Sequence, residues 1–172
     1  MIYWVPSALV VTANLRALQV VDVHCLKKIT FCGEVMPCKQ LNVWRKYVPD
    51  ALYANLYGPT ETTCASTYYI VEREFGDGDM LPIGKPFRNT RIRLVTEEGR
   101  EAQPGEMGEI CIGGSSLAYG YYRDEIRTGE SFVTYEDGGY KEIWYHTGDL
   151  ARYNERGELL YLSRKDFQIK HM

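Results

Sequence analysis

The chain has 172 residues, of which 45% are hydrophobic and 25% charged, with a formal net charge of −3; that suits one domain or part of a larger one. The charge leaves no basic footprint for nucleic acid, and the apolar run at 4–11 is too short and too interrupted by Pro6 and Ser7 to span a membrane. Pro6 closes an extended piece and Ser7 is placed to cap a helix over 8–18. Residues 28–32 read as a short apolar strand stopped at Gly33. Over 39–47, Leu41, Trp44 and the following Val48 recur at spacings of three and four, which predicts an amphipathic helix. Residues 52–56 form the next strand. Strand, helix and strand within about 30 residues make a βαβ unit, with parallel strands and a right-handed crossover.

After Tyr57 the pattern changes. Short strands are expected at 65–71, 91–95, 109–112, 143–146 and 159–162, separated by Gly, Pro and Asp turns at 76–79, 98–99, 103–105 and 137–139. One short helix fits 124–131, and Gly113-Gly114 reads as a turn or a close packing contact rather than a phosphate loop. The 14 tyrosines read mainly as strand residues that pack on a pleated surface. Five cysteines, at 25, 32, 38, 64 and 111, form no CxxC pair, as expected of reduced thiols in a cytoplasmic protein. His24 stands beside Cys25 without a second pair at ligand spacing, which argues against zinc there.

The chemistry concentrates in Tyr57-Gly58-Pro59-Thr60-Glu61. Gly58 frees the backbone, Pro59 fixes φ, and the Thr60 hydroxyl and Glu61 carboxylate are held beyond the strand end. Ligands bind at the carboxyl ends of strands in α/β sheets, and a hydroxyl beside a carboxylate suits a phosphate and its Mg²⁺. Tyr57 offers an aromatic face for a base and Asn55 an amide for its polar edge. Further along, Asp149 follows a glycine and can accept two ribose hydroxyls, while Arg164 and Lys170 bring cationic donors.

Five ordered blocks, 31–34, 55–61, 108–114, 145–150 and 161–170, together resemble the adenylate-forming superfamily of acyl-CoA synthetases, luciferases and amino-acid adenylation domains. The wording at 31–37 and 166–170 is most similar to the amino-acid activating branch, notably D-alanine–carrier-protein ligases. The resemblance implies an α/β plus β fold, the C-terminal part of an acetyl-CoA-synthetase-like large domain. A βαβ sheet edge over 1–70 would precede a small distorted β-barrel subdomain over 71–163. A hinge segment over 164–172, carrying Asp166 and Lys170, would be cut before a C-terminal lid. It implies adenine on Tyr57, with Asn55 and the Gly33-Glu34 backbone at its edge, and Gly58 in the turn. Thr60 would touch the α-phosphate and Glu61 the Mg²⁺, the two catalytic residues of the set. Asp149 would hold the ribose with Arg164 and Tyr161 beside it, and Cys32 would line a pocket for a small amino acid. The cofactors implied are ATP or AMP and Mg²⁺. The partners implied are an amino acid and a carrier protein bearing phosphopantetheine, with no nucleic acid and no membrane.

The sequence departs from that pattern at Ser163, where glycine is usual, and at His146, where arginine is frequent. It has no phosphate loop ending in Lys-Gly, no acidic residue for a substrate amino group and no lid lysine, so the isolated chain is expected to be inactive. Two other readings stay open: an acyl-CoA synthetase fragment, and a non-catalytic nucleotide-binding module.

Overall fold

The run Lys-Ile-Thr-Phe-Cys and its counterpart Leu-Tyr-Ala-Asn-Leu-Tyr form neighbouring parallel strands in the computed structural model, which describes residues 1–137 and 139–165. These are β2 (Lys28–Cys32) and β3 (Leu52–Tyr57), with β1 (Ile2–Trp4) parallel to β2 on its other side. β4 (Thr67–Ile70) and β5 (Lys85–Pro86) continue the sheet antiparallel, in the order β1-β2-β3-β4-β5. The crossover helix α2 (Cys38–Tyr47) buries Leu41 and Trp44, as its spacing predicts. It packs on α1 (Pro6–Asn14), where Trp44 Nε1 donates to the Leu9 carbonyl at 2.9 Å. Leu9, Ile29, Phe31, Leu41 and Trp44 are all within 2% of full burial and form the centre of this core.

The start of α1 differs from the sequence reading. Val5 is the residue before the first turn and Pro6 occupies that turn, where its missing N–H costs nothing. Ser7 lies inside the helix and is held by Glu34, whose carboxylate accepts from the Ser7 N–H at 2.7 Å and from its hydroxyl at 3.2 Å. A carboxylate from another segment therefore does the capping, favoured there by the helix dipole. The helix also stops short of residue 18, because Arg16 takes φ 56° and Ala17–Gln19 forms a 3-10 turn.

The second sheet is antiparallel and built from β6 (Thr90–Val95), β7 (Gly108–Gly114), β8 (Phe132–Asp137), β9 (Tyr140–Tyr153) and β10 (Leu159–Arg164). Its order is β10-β9-β7-β6, with β8 on the first half of β9. Bulges between Glu109 and Cys111 and between Tyr161 and Ser163 bend it. Gly113 lies flat against Trp144, where a Cβ would come within 3.0 Å of the indole ring; close packing is its reason. α3 (Glu125–Ser131) is capped by Asp124, whose carboxylate accepts from the Arg127 N–H at 3.0 Å. The two sheets are joined by the Ile83 N–H donating to the Leu159 carbonyl at 2.8 Å and by Arg73 and Tyr69 converging on Glu158. None of the helices among the described residues is long and apolar enough to cross a membrane.

Candidate active site

The carboxyl ends of β2 and β3 open onto a cleft of about 1120 Å³ whose opposite wall is β9 and β10. Cys32, Gly33, Glu34, Asn55, Tyr57, Gly58, Thr60, Glu61, Asp149, Tyr161 and Arg164 all line it. Residues from both sheets, separated by more than half of the chain, thus meet at one place. Asp166 and Lys170 lie outside the described residues.

At the end of the cleft next to β2, Gly33 takes φ 98°, a left-handed conformation that turns the chain out of the strand. Asn55 is 5% exposed, and its Nδ2 donates to the Pro82 carbonyl at 2.9 Å. The Tyr57 hydroxyl donates to Asp149 Oδ2 at 2.7 Å, and its ring lies 6.3 Å from that of Tyr161, tilted by 41°. Burial, with the Asp149 charge beside it, pushes the Tyr57 hydroxyl well above its ordinary range, so it stays a donor. Asp149 is 7% exposed; its Oδ1 accepts from Arg164 Nη1 at 3.1 Å. Its own N–H donates to Thr147 Oγ1 at 3.0 Å, just after Gly148 at φ 73°. A buried carboxylate held between a phenol and a guanidinium has its direction fixed.

At the other end, Pro59 leads into a 3-10 turn, Thr60–Thr62, in which Thr60 is exposed to the cleft. The Thr62 and Ser66 hydroxyls lie 2.6 Å apart and the Ser66 N–H donates to the Tyr57 carbonyl at 2.7 Å, which closes the loop. Glu61 Oε1 accepts from the Tyr121 hydroxyl at 2.7 Å. Burial alone would raise the Glu61 carboxyl, but that hydrogen bond and others outweigh it and hold it below its ordinary value.

Four residues of the site were not singled out from the sequence as part of it. Tyr121 orients Glu61, and Arg127 lines the cleft with its guanidinium 4.2 Å from the centre of the Tyr121 ring. Tyr3 and Cys64 surround Cys32: the Tyr3 hydroxyl lies 3.3 Å from Cys64 Sγ, and Cys32 Sγ contacts the Cys64 carbonyl at 3.7 Å. Cys64 follows the Tyr-Gly-Pro-Thr-Glu turn closely enough for the turn itself to have pointed to it.

The parallel strand ends thus face an antiparallel sheet, with a carboxylate at each end of the cleft between them. Residues 1–122 match the family described as AMP-binding enzyme, and the chain belongs to that family. It is 41% identical over 147 residues to gramicidin S synthase 1 of Brevibacillus brevis, covering 84% of this chain and 13% of that protein. It is 37% identical over 146 residues to the D-alanine–D-alanyl carrier protein ligase of Bacillus licheniformis, covering 84% of this chain and 28% of that one. Among solved structures it is similar to PA1221, an NRPS protein containing adenylation and PCP domains, bound to a vinylsulfonamide inhibitor. That match has a TM-score of 0.87 at 32% identity and covers 97% of this chain and 29% of PA1221. The chain therefore spans less than a third of each of these relatives.

Proposed function

We propose that this chain is the nucleotide-binding part of a cytoplasmic, ATP-dependent ligase that activates a small amino acid, with D-alanine the first candidate. The observation that carries this reading is the convergence of Tyr57, Thr60, Glu61, Asp149 and Arg164 on one cleft. The substrate carboxylate attacks the α-phosphorus of ATP, the bond to the β-phosphate oxygen breaks, and aminoacyl-AMP and pyrophosphate result. The thiol of a carrier protein's phosphopantetheine arm then takes the aminoacyl group and releases AMP. No protein nucleophile is needed; the chain contributes positioning and charge.

In this reading Tyr57 carries the adenine, with Asn55 and the Gly33-Glu34 backbone at its edge. Asp149 accepts the ribose hydroxyls, Arg164 and Tyr161 flank them, and Thr60 donates to the α-phosphate. Glu61 fits a Mg²⁺ ligand, since it is an ionised, cleft-lining carboxylate next to a hydroxyl. Bound there, Mg²⁺ would neutralise phosphate charge. Cys32, Tyr3 and Cys64 line the cleft near the strand ends and leave space for a small side chain. Residues 1–70 act as the sheet portion, to which β5 (Lys85–Pro86) adds an edge strand, and the rest of 71–163 as the β subdomain. Residues 164–172, with Asp166 and Lys170, form the hinge toward a lid.

A longer protein containing this chain tests the proposal. With ATP and hydroxylamine it is expected to form hydroxamates from small amino acids, D-alanine among them; reaction with fatty or aryl acids alone would overturn the substrate class. The Glu61 assignment has its own test in pH. A carboxyl held low stays ionised, and keeps its Mg²⁺, as the pH falls through the ordinary carboxylate range. Tyr121→Phe removes the hydrogen bond and raises that carboxyl. Mg²⁺-dependent adenylate binding in the variant should then be lost at a higher pH than in the parent, and coincident midpoints would count against the assignment.

A further inference from the structure

Behind the cleft, β9 presents a second group of side chains. Tyr145, Thr147 and Asp149 line the cleft, and strand alternation turns the intervening His146 to the opposite face. There it meets Glu109 and Cys111, which share one face of β7 as residues i and i+2; Cys111 stands directly across from His146 in the register. His146 Nδ1 lies 3.5 Å from Cys111 Sγ and 3.1 Å from Glu109 Oε2. All three ligand atoms fall within 4.8 Å of one another.

A proton relay would divide the two imidazole nitrogens between the acid and the thiol. Here both face Nδ1, while Nε2 lies 2.7 Å from the Tyr135 hydroxyl. Three potential donors thus gather on one side of the imidazole. In a tetrahedral zinc site, with Zn–N of roughly 2.0–2.1 Å and Zn–S of about 2.3 Å, neighbouring donors are about 3.3–3.6 Å apart. The two separations from His146 Nδ1, to Cys111 and to Glu109, are close to that edge length. The supporting contacts are also built. The Gly148 N–H donates to Glu109 Oε1 at 2.8 Å and Tyr135 fixes the imidazole plane; Lys165 Nζ, 3.3 Å from Oε2, must swing away toward solvent when the metal binds.

We propose that Glu109, Cys111 and His146 form a binding site for Zn²⁺, separate from the Mg²⁺ expected at the cleft. Thiolate and imidazole donors select Zn²⁺ over Mg²⁺ or Ca²⁺. His146 binds through Nδ1, and its Nε2 keeps the proton and donates it to the Tyr135 oxygen. Cys111 binds as the thiolate, its proton passing to solvent; burial otherwise pushes that thiol up to about 12. Glu109 binds as the carboxylate through Oε2, while its Oε1 keeps the Gly148 N–H. Three protein ligands leave the fourth position for water or another donor.

The test is a Zn²⁺ titration of the 172-residue chain against a chromophoric chelator, paired with Co²⁺ absorption spectroscopy. One equivalent of metal should bind, and the Co²⁺ form should show a thiolate charge-transfer band. Cys111→Ser and His146→Gln should each weaken binding by more than the roughly 10–100-fold carried by outer contacts, with unchanged far-ultraviolet circular dichroism. Cys25→Ser with Cys64→Ser, which removes the two exposed thiols, should leave affinity and band intact. A wild-type chain that binds no metal, or a Cys111→Ser variant that binds as tightly, would overturn the proposal.

Discussion

Asp149→Ala should reduce AMP affinity on the order of 100-fold, the largest single effect expected at the cleft. In the proposed reading the carboxylate accepts two ribose hydroxyls, and hydrogen bonds to a charged group contribute about 1.5–3 kcal/mol each. Losing about 3 kcal/mol, less than the full sum because water replaces part of it, corresponds to roughly a hundredfold in binding. The same substitution strands the Tyr57 hydroxyl and the Arg164 guanidinium, which Asp149 holds at 2.7 and 3.1 Å. Stability should therefore fall as well, by about 1–3 kcal/mol. Denaturant unfolding measures that loss, and calorimetry on the folded variant measures the affinity. Asp149→Asn keeps an acceptor for one hydroxyl and should lie between the two. Equal AMP affinity in all three proteins would remove Asp149 from the ribose.

Gly58→Ala should damage the other end of the cleft. A Cβ there would lie 2.6 Å from the Ser66 nitrogen, 2.9 Å from the Cys64 oxygen and 3.0 Å from the Ala65 Cα. All three are backbone atoms, so no side chain can swing away. The loop itself must open, against the Ser66 N–H to Tyr57 carbonyl bond that closes it. Overpacking of this kind costs about 1–3 kcal/mol. The displaced residues are Thr60 and Glu61, so Mg²⁺-dependent binding should fall further than nucleoside binding, which rests on Asp149. Gly78→Ala is the control, since a Cβ there meets nothing within 4 Å. If Gly58→Ala and Gly78→Ala have the same unfolding midpoint, the close approach is not what fixes Gly58.

The parts legible in the sequence are those governed by local chemistry. The spacing of Leu41, Trp44 and Val48 specified α2, the short helix expected at 124–131 is α3, and Tyr-Gly-Pro-Thr-Glu marked the strand end at the cleft. What stayed hidden depends on partners far along the chain. β1 has three half-exposed or exposed residues and exists because β2 pairs with it. β9 runs for 14 residues through Thr-Gly-Asp, where turn-like residues mask a strand that a positive-φ glycine interrupts. The tyrosines read as packing residues divide in the structure. Tyr53 is buried in the core, whereas Tyr121 and Tyr145 join the hydrogen bonds around Glu61. The Ser7 cap failed for the same reason, because Glu34 arrives from another segment to take its place.

The central claim is that these residues form a nucleotide site within this chain, and isothermal titration of AMP into the 172-residue protein tests it most directly. The account predicts weak, saturable binding with one AMP per chain, lost in Tyr57→Ala and in Asp149→Ala. No binding heat up to millimolar AMP, from a protein shown to be folded, would contradict it.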